Sequence, residues 1–289
     1  MPHPLDQKKE PEETLLIQDL AFGGDGLARY EEGHPSAGKV VFVRGGLPGE
    51  KVSAAIEERR KDFDRGPAVG ILEPSPDRVA PVCPLFGSCG GCQLQHLGYS
   101  AQVEAKTAWA RQFAARAGVA AERVRPAVPS PREFGYRFRV RLRADPLGRL
   151  GFSRAGSAEL VRVEHCPVMS PELNSLADRI SRLLADRPPG CFFELELGAL
   201  AENGFVLVRP PASGQRRTGK YIRLLRKITE NLRARLSDSG IGIYFFRPGS
   251  KAGRTAPPQG SLALAPEEPN LTLFPASLPR PNLPRTEIS

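Results

Sequence analysis

The strongest constraint on this chain is a cysteine pattern: Cys83, five residues, Cys89-Gly90-Gly91-Cys92, and far downstream Cys166 within Glu164-His165-Cys166-Pro167-Val168. Three closely spaced thiols on one Pro/Gly loop, closed by a remote fourth, form a donor set that suits a cubane iron-sulfur cluster. Gly90 and Gly91 allow tight curvature and bring amide N–H groups near the sulfurs, while Pro84 and Pro167 restrict the backbone after their cysteines. Two other readings stay open on spacing alone. One is a tetrahedral four-thiolate zinc site, although such sites usually pair two short knuckles and only one is present here; the other is four small buried hydrophobes. The remaining cysteine, Cys191, sits beside Phe192 and Phe193 with no companion ligand, so we assign it to the core. An odd total of five cysteines does not suit a disulfide framework.

Around this pattern the text divides into two styles. From Thr14 to about Leu72, short apolar runs (LLIQDLAF, KVVFVRGG, EKVSAAI, PAVGIL) are broken by glycine and proline, the signature of strands and turns in a small OB-like β-barrel. Pro74, Pro76, Pro81 and Pro84 then mark a stiff connector. Beyond the cysteine trio, apolar residues at spacings of three and four predict a helix over 99–118, with Ser100 as its cap and Gly118 as its stop. Further helices are expected over 171–185 and 219–236, among strands FFELELGAL, GFVLVRP and IGIYFFR. In YRFRVRLRA, Phe138, Val140 and Leu142 alternate with Arg137, Arg139, Arg141 and Arg143, predicting a half-buried strand with an arginine face.

Charge narrows the partners. Forty-one Lys+Arg against 32 Asp+Glu leave a formal +9 on 289 residues, which suits a polyanion because neutralising phosphates releases counterions. The basic residues cluster at Arg59, Arg60 and Lys61, along the four-arginine strand, and at Arg216, Arg217, Lys220, Arg223, Arg226 and Lys227. No apolar run approaches the roughly 18 residues of a membrane span, and the polar N-terminus lacks the apolar stretch of a signal peptide, so a cytoplasmic protein is expected.

Three segments carry a family resemblance: CPLFGSCGGCQLQHLGYSAQ, YRFRVRLR and LGFSRAGSAELVRVEHCPV, in this order, resemble signatures of the S-adenosylmethionine-dependent RNA uracil-5-methyltransferases, those of bacterial 23S rRNA in particular. IQDLAFGGDGLARYEEG and KVVFVRGGLPGEKV, with a short insertion between His34 and Gly38, are similar to the TRAM domain of many members. The resemblance implies that Cys83, Cys89, Cys92 and Cys166 ligate a [4Fe-4S] cluster. It also implies that the barrel binds RNA, 23S rRNA above all, and that Arg137, Arg139 and Arg141 contact it. Phe138 stands where the family usually has Asn.

The fold class expected on these grounds is α+β. A tail (1–13) precedes the TRAM barrel (14–73), an α+β domain with the cysteine-held cluster (74–270), and a lead-in to a catalytic domain (271–289). The Rossmann-like methyltransferase domain itself is expected to be absent. Family chemistry needs a thiolate to attack uracil C6, a methyl donor and a base for the C5 proton. No D-x-[FY]-x-G-x-G loop for S-adenosylmethionine is found; GGDGLA and GIGIYF are the nearest glycine groups and read as structural. The expected protein is therefore the RNA-binding and iron-sulfur part of such an enzyme, not catalytic alone. The alternatives are a stand-alone RNA-binding iron-sulfur protein and an RNA-binding zinc protein.

Overall fold

Twelve strands, β1 to β12, and three α-helices, α1 to α3, follow one another along the described residues of the computed structural model: 12–200, 203–211 and 218–246. All lie within one compact unit that ends at Pro248.

The first sheet uses β1 (Glu12–Leu20), β2 (Asp25–Arg29), β3 (Val40–Arg44), β4 (Lys51–Ala55), β5 (Glu58–Arg59) and β6 (Phe63–Glu73) in the order β3-β2-β1-β4-β6-β5, with a further β3–β6 pairing. That last pairing closes a barrel. The long strand β6 makes closure possible: its first half runs parallel to β3 from Val40↔Phe63 to Arg44↔Pro67, and its second half pairs antiparallel with β4. Closure removes exposed sheet edges. The period-two pattern selects the interior, so Leu15, Ile17, Val41, Val43, Val52 and Ala54 point inward while Leu16 between two of them is half exposed. One charge is buried with this core. Asp64, fully buried, accepts from the Tyr30 hydroxyl (2.9 Å) and the Lys39 ammonium (2.6 Å), with Arg59 at 3.2 Å. Burial works to raise its carboxyl, but the hydrogen bonds from Lys39 and Tyr30 and the nearby cations outweigh it and hold the pKa below the usual value. Burial and the same carboxylate push Tyr30 up to about 12.

A connector ties the barrel to the rest. Arg78 donates to the fully buried Glu50 through Nε (2.5 Å) and Nη2 (2.7 Å), and the Glu50 carboxylate also accepts from the Leu47 and Ser75 amides. Helix α1 (Tyr99–Arg116) anchors on the same side, where Trp109 Nε1 donates to the Leu20 carbonyl at 2.8 Å. The expected Ser100 cap is corrected here: Gly98 caps α1 with no side-chain bond, and Ser100 lies within the first turn of the helix. Gly118 does follow its end in the left-handed conformation, at φ +75°.

The second sheet has the order β12-β11-β10-β7-β8-β9, from β7 (Arg139–Ala144), β8 (Leu150–Ser153), β9 (Leu160–Arg162), β10 (Phe193–Leu200), β11 (Asn203–Arg209) and β12 (Ile241–Phe245). Within this second sheet only β11–β12 is parallel among the described pairings. Helices α2 (Pro171–Asp186) and α3 (Gly219–Arg235) cover one face, and the core lies between: Val140, Leu142, Leu195, Leu197, Val206 and Val208 from the sheet meet Leu173, Ile180, Leu225 and Leu232 from the helices. Ser170 and Thr218 cap these helices through their hydroxyls. Cys191 is buried in this core, as its apolar neighbours implied.

The arginine strand departs from expectation at its start. Pairing in β7 begins at Arg139, and Phe138 is 52% exposed instead of joining Val140 inside. Arg137 is tied to the Cys166 loop, with Arg137 N donating to Val168 O (3.0 Å) and Ser170 N to Arg137 O (2.8 Å), while Phe138 O still accepts from Ala199 N of β10 (3.0 Å), so Phe138 lies at the very end of the ladder.

Candidate functional site

The cysteine loop is shaped by its own backbone. Phe86 N donates to Cys83 O (3.1 Å) and Cys89 N to Leu85 O (2.8 Å), turning the chain so that Cys83 and Cys89 face one way. The loop then docks on the β8–β9 hairpin, where Gly90 N donates to Ser153 O at 2.9 Å and Cys89 bridges Arg154. Cys166 comes from the other side. Asn174 in α2 accepts from Cys166 N at 2.9 Å and places its amide nitrogen 3.0 to 3.2 Å from the carbonyls of Cys166, Met169 and Ser170.

These turns bring Cys83, Cys89, Cys92 and Cys166 to the wall of one small cavity, together with Phe86, Phe152, Gln95 and Arg137. All four are free thiols. Gly91 N donates to Cys89 Sγ at 3.4 Å, the amide-to-sulfur contact that the double glycine favours, and Gln95 Oε1 accepts from Cys83 N at 3.1 Å. Burial raises Cys89, the Gly91 amide opposes this, and the other three sulfurs add to the rise. Burial also raises Cys92, against a hydrogen bond from Gln95 and the charge of Arg137. Burial thus favours the thiol form of Cys89 and Cys92, and metal binding to these two sulfurs would release protons. Among the described residues no three His, Cys, Asp or Glu side chains are gathered around one ion position.

Gln95 and Asn174 are site residues that sequence reading did not single out. Gln95 lay inside the quoted CGGCQLQH segment; Asn174 carried no signal, since its role depends on α2 passing beside the Cys166 loop.

The three arginines expected to contact RNA are divided by the fold. Arg137 lines the cysteine cavity. Arg139 and Arg141 project from the sheet face opposite α2 and α3, where Arg139 donates through Nε (2.7 Å) to Glu196 and Arg141 stands 3.7 Å from it. Arg143 on the same strand turns to Ser153 Oγ at 3.1 Å. Of the other clusters, Arg59 is committed to Asp64 and Glu13 and Arg60 to Glu58, while Arg216 and Arg217 lie outside the described residues. An open groove of about 1420 Å³ runs beside the cysteine loop and is lined from the barrel by Gly24 and Arg44 and from the second sheet by Phe152 and Phe192.

The two glycine groups nearest to a donor loop lie in a turn and in a strand. Gly23 and Gly24 form the β1–β2 turn at φ +108° and +99°, and Gly242 lies within β12. 

Residues 11–69 match the TRAM domain model. The 23S rRNA (uracil(1939)-C(5))-methyltransferase RlmD of Halomonas elongata is 41% identical over 205 residues, covering 68% of this chain and 40% of that enzyme. The RlmD of Alkalilimnicola ehrlichii is 32% identical over 256 residues, covering 84% of this chain and 52% of that enzyme. The chain carries a TRAM domain and is homologous to the RlmD methyltransferases. It spans about half or less of the length of these RlmD relatives. A solved Pyrococcus abyssi tRNA (uracil-54, C5)-methyltransferase in complex with S-adenosyl-L-homocysteine is similar at 24% identity and a TM-score of 0.49, over 72% of this chain and 48% of that one.

The RlmD alignments correct one part of the expected fold class. A Rossmann-like methyltransferase domain cannot be declared absent, because 84% of this sequence aligns with only 52% of the A. ehrlichii enzyme. The aligned stretch corresponds to about half of that relative. The lead-in expected over 271–289 lies outside the described residues.

Proposed function

We propose that this chain provides the RNA-recognising part of a ribosomal RNA uracil-5-methyltransferase and holds a [4Fe-4S] cluster on Cys83, Cys89, Cys92 and Cys166. The observation that carries the reading is the meeting of four free thiols, from a loop and from a remote turn, at one small cavity. The donor set fits: four sulfurs, the Gly91 amide donating to Cys89 Sγ, and aromatic walls from Phe86 and Phe152, with His165 also at the rim. A metal centre here would cross-link the 83–92 loop to the 166 turn, so that its binding energy becomes folding energy.

RNA recognition is assigned to the TRAM barrel and to Arg137, Arg139 and Arg141. The chain's excess of positive charge supports a polyanionic partner, and the homologous RlmD enzymes are named for 23S rRNA. S-adenosylmethionine is the expected methyl donor of the whole reaction, and none of the described residues is assigned to it. No described helix is long and apolar enough to cross a membrane, in keeping with a cytoplasmic rRNA enzyme.

The test is anaerobic purification followed by iron, sulfide and zinc analysis and by titration with a labelled rRNA fragment. About four irons and four sulfides per chain are expected, with RNA affinity that falls as salt rises. Zinc without sulfide would overturn the cluster, and the absence of RNA binding at low salt would overturn the recognition role.

A further inference from the structure

The sheet face turned away from α2 and α3 has a composition unlike a solvated surface. Strand register places on it Arg139, Arg141 and Arg143 from β7, Glu194, Glu196 and Gly198 from β10, Phe205, Leu207 and Arg209 from β11, and Gly242 and Tyr244 from β12. Two glycines lie beneath two aromatic rings. A Cβ at Gly198 would stand 2.2 Å from Phe205 Cε1, and one at Gly242 would stand 2.6 Å from the Tyr244 hydroxyl, so both rings lie down on the sheet instead of standing up from it. Rings in that posture offer a π-face outward.

Cations interleave with these rings. The Arg139 guanidinium sits 5.8 Å from the Phe205 centroid, and that of Arg209 sits 4.7 Å from the centroid of Phe246, just past β12. At the centre Glu196, only 5% exposed, receives Arg139 on one oxygen and Arg209 (2.6 Å) on the other. One carboxylate thus fixes two guanidiniums and has a third, Arg141, within 3.7 Å. Each guanidinium has five donors, and Arg139 spends two on Glu196. The rest face outward, since the side chains of Arg139 and Arg141 are 58% and 50% exposed. Four arginines against two glutamates leave the face positive.

We propose that this face is a platform for single-stranded RNA, on which Phe205 and Tyr244 stack bases while Arg139, Arg141 and Arg209, preset by Glu196, take the flanking phosphates. The proposal rests on the RNA-binding reading above, which already includes Arg139 and Arg141, and adds Phe205, Tyr244 and Arg209 as a base-stacking surface for an unpaired strand. Flat aromatics with neighbouring guanidiniums on an open sheet are what unpaired bases require, because every base has a π-face and a charged backbone beside it. A duplex, whose bases are already stacked, gains nothing from the rings.

The test uses the whole 289-residue chain and anisotropy of a fluorescein-labelled oligouridylate of about twelve nucleotides across a potassium chloride series. Arg139→Gln with Arg141→Gln should weaken binding and flatten the logarithmic salt dependence by about 1.4, two phosphates at roughly 0.7 each. Phe205→Ala should weaken binding about tenfold and leave the salt slope unchanged. Should Phe205→Ala fail to fold, the double arginine variant, altered only at exposed side chains, decides alone. Wild-type affinity and slope in that variant would overturn the platform, and with it the assignment of Arg139 and Arg141 to RNA, while RNA binding by the barrel stands; no RNA binding by the unaltered chain would remove both. Equal competition by polyglutamate would reassign the face to an acidic protein segment, loss of self-association in the arginine variant would assign it to a second copy, and a preference for duplex RNA would refute base stacking.

Discussion

Replacing Asn174 with Ala tests whether the remote cysteine is held by helix α2. The Asn174 side chain accepts from Cys166 N and faces three carbonyls, those of Cys166, Met169 and Ser170, at 3.0 to 3.2 Å. Its amide has only two hydrogens, so two of the three carbonyls are satisfied at a time, and three hydrogen bonds are lost in the variant. At roughly 0.5–1.5 kcal/mol each, with some recovery by water at a half-buried site, the loss comes to about 2–3 kcal/mol. For a unit of this size that corresponds to a fall in melting temperature of about 5–10 °C. The decisive readout is separate from stability: with the Cys166 turn released, iron and sulfide per chain should fall and the visible absorption of the purified protein should bleach faster in air. Asn174→Asp should be as harmful, because it keeps the acceptor for Cys166 N and sets a carboxylate against three carbonyls. A variant that melts within a degree of the parent and retains its full iron and sulfide would refute the positioning role.

Cys89→Ser should remove iron and sulfide together and lower the melting temperature, and unchanged colour with unchanged melting would sink the cluster assignment. Gly66→Ala should abolish soluble expression or cost at least about 3 kcal/mol, since its Cβ would stand 1.7 Å from the Ala55 carbonyl oxygen; a well-folded variant by circular dichroism would show that β6 does not pass where the barrel places it. His96 is 2% exposed with neither ring nitrogen hydrogen-bonded, and burial, followed by the charge of Arg78, pushes it down to about 4. Below its ordinary value near 6.5 the unfolded chain binds the proton more readily, so stability should fall as pH drops from about 6.5 to 4, and His96→Leu should flatten that limb in urea titrations. Tyr30 works in the opposite direction: held up to about 12, it contributes stability that is complete below about pH 10 and is lost as pH rises towards 12, which Tyr30→Phe should remove.

Local rules fixed by chemistry were legible in the residues: the period-two strands of the barrel, the three helices to within a residue or two, the cysteine pattern, and the burial of Cys191. Each depends on neighbours a few positions away, and alternation or helical spacing reports it directly. Where long-range backbone competition enters, local reading fails. Phe138 follows the alternation perfectly and is still exposed, because it stands at the end of the ladder, next to an Arg137 that is bonded to the Cys166 turn. The arginine comb looked like one surface, and the tertiary structure sends Arg137 to the cysteines and Arg139 and Arg141 to Glu196, a partner 55 or more positions away along the chain. Closure of the barrel through β3 and β6, the clamp of Asn174 on Cys166, and the two rings laid over glycines are likewise decided by which strands and helices become neighbours. The amino-acid order alone determined which segments could be strands, helices and thiol-bearing turns; only packing decided which side chains meet, because contacts between distant segments are set by the burial of a shared core and leave no periodic trace in the text.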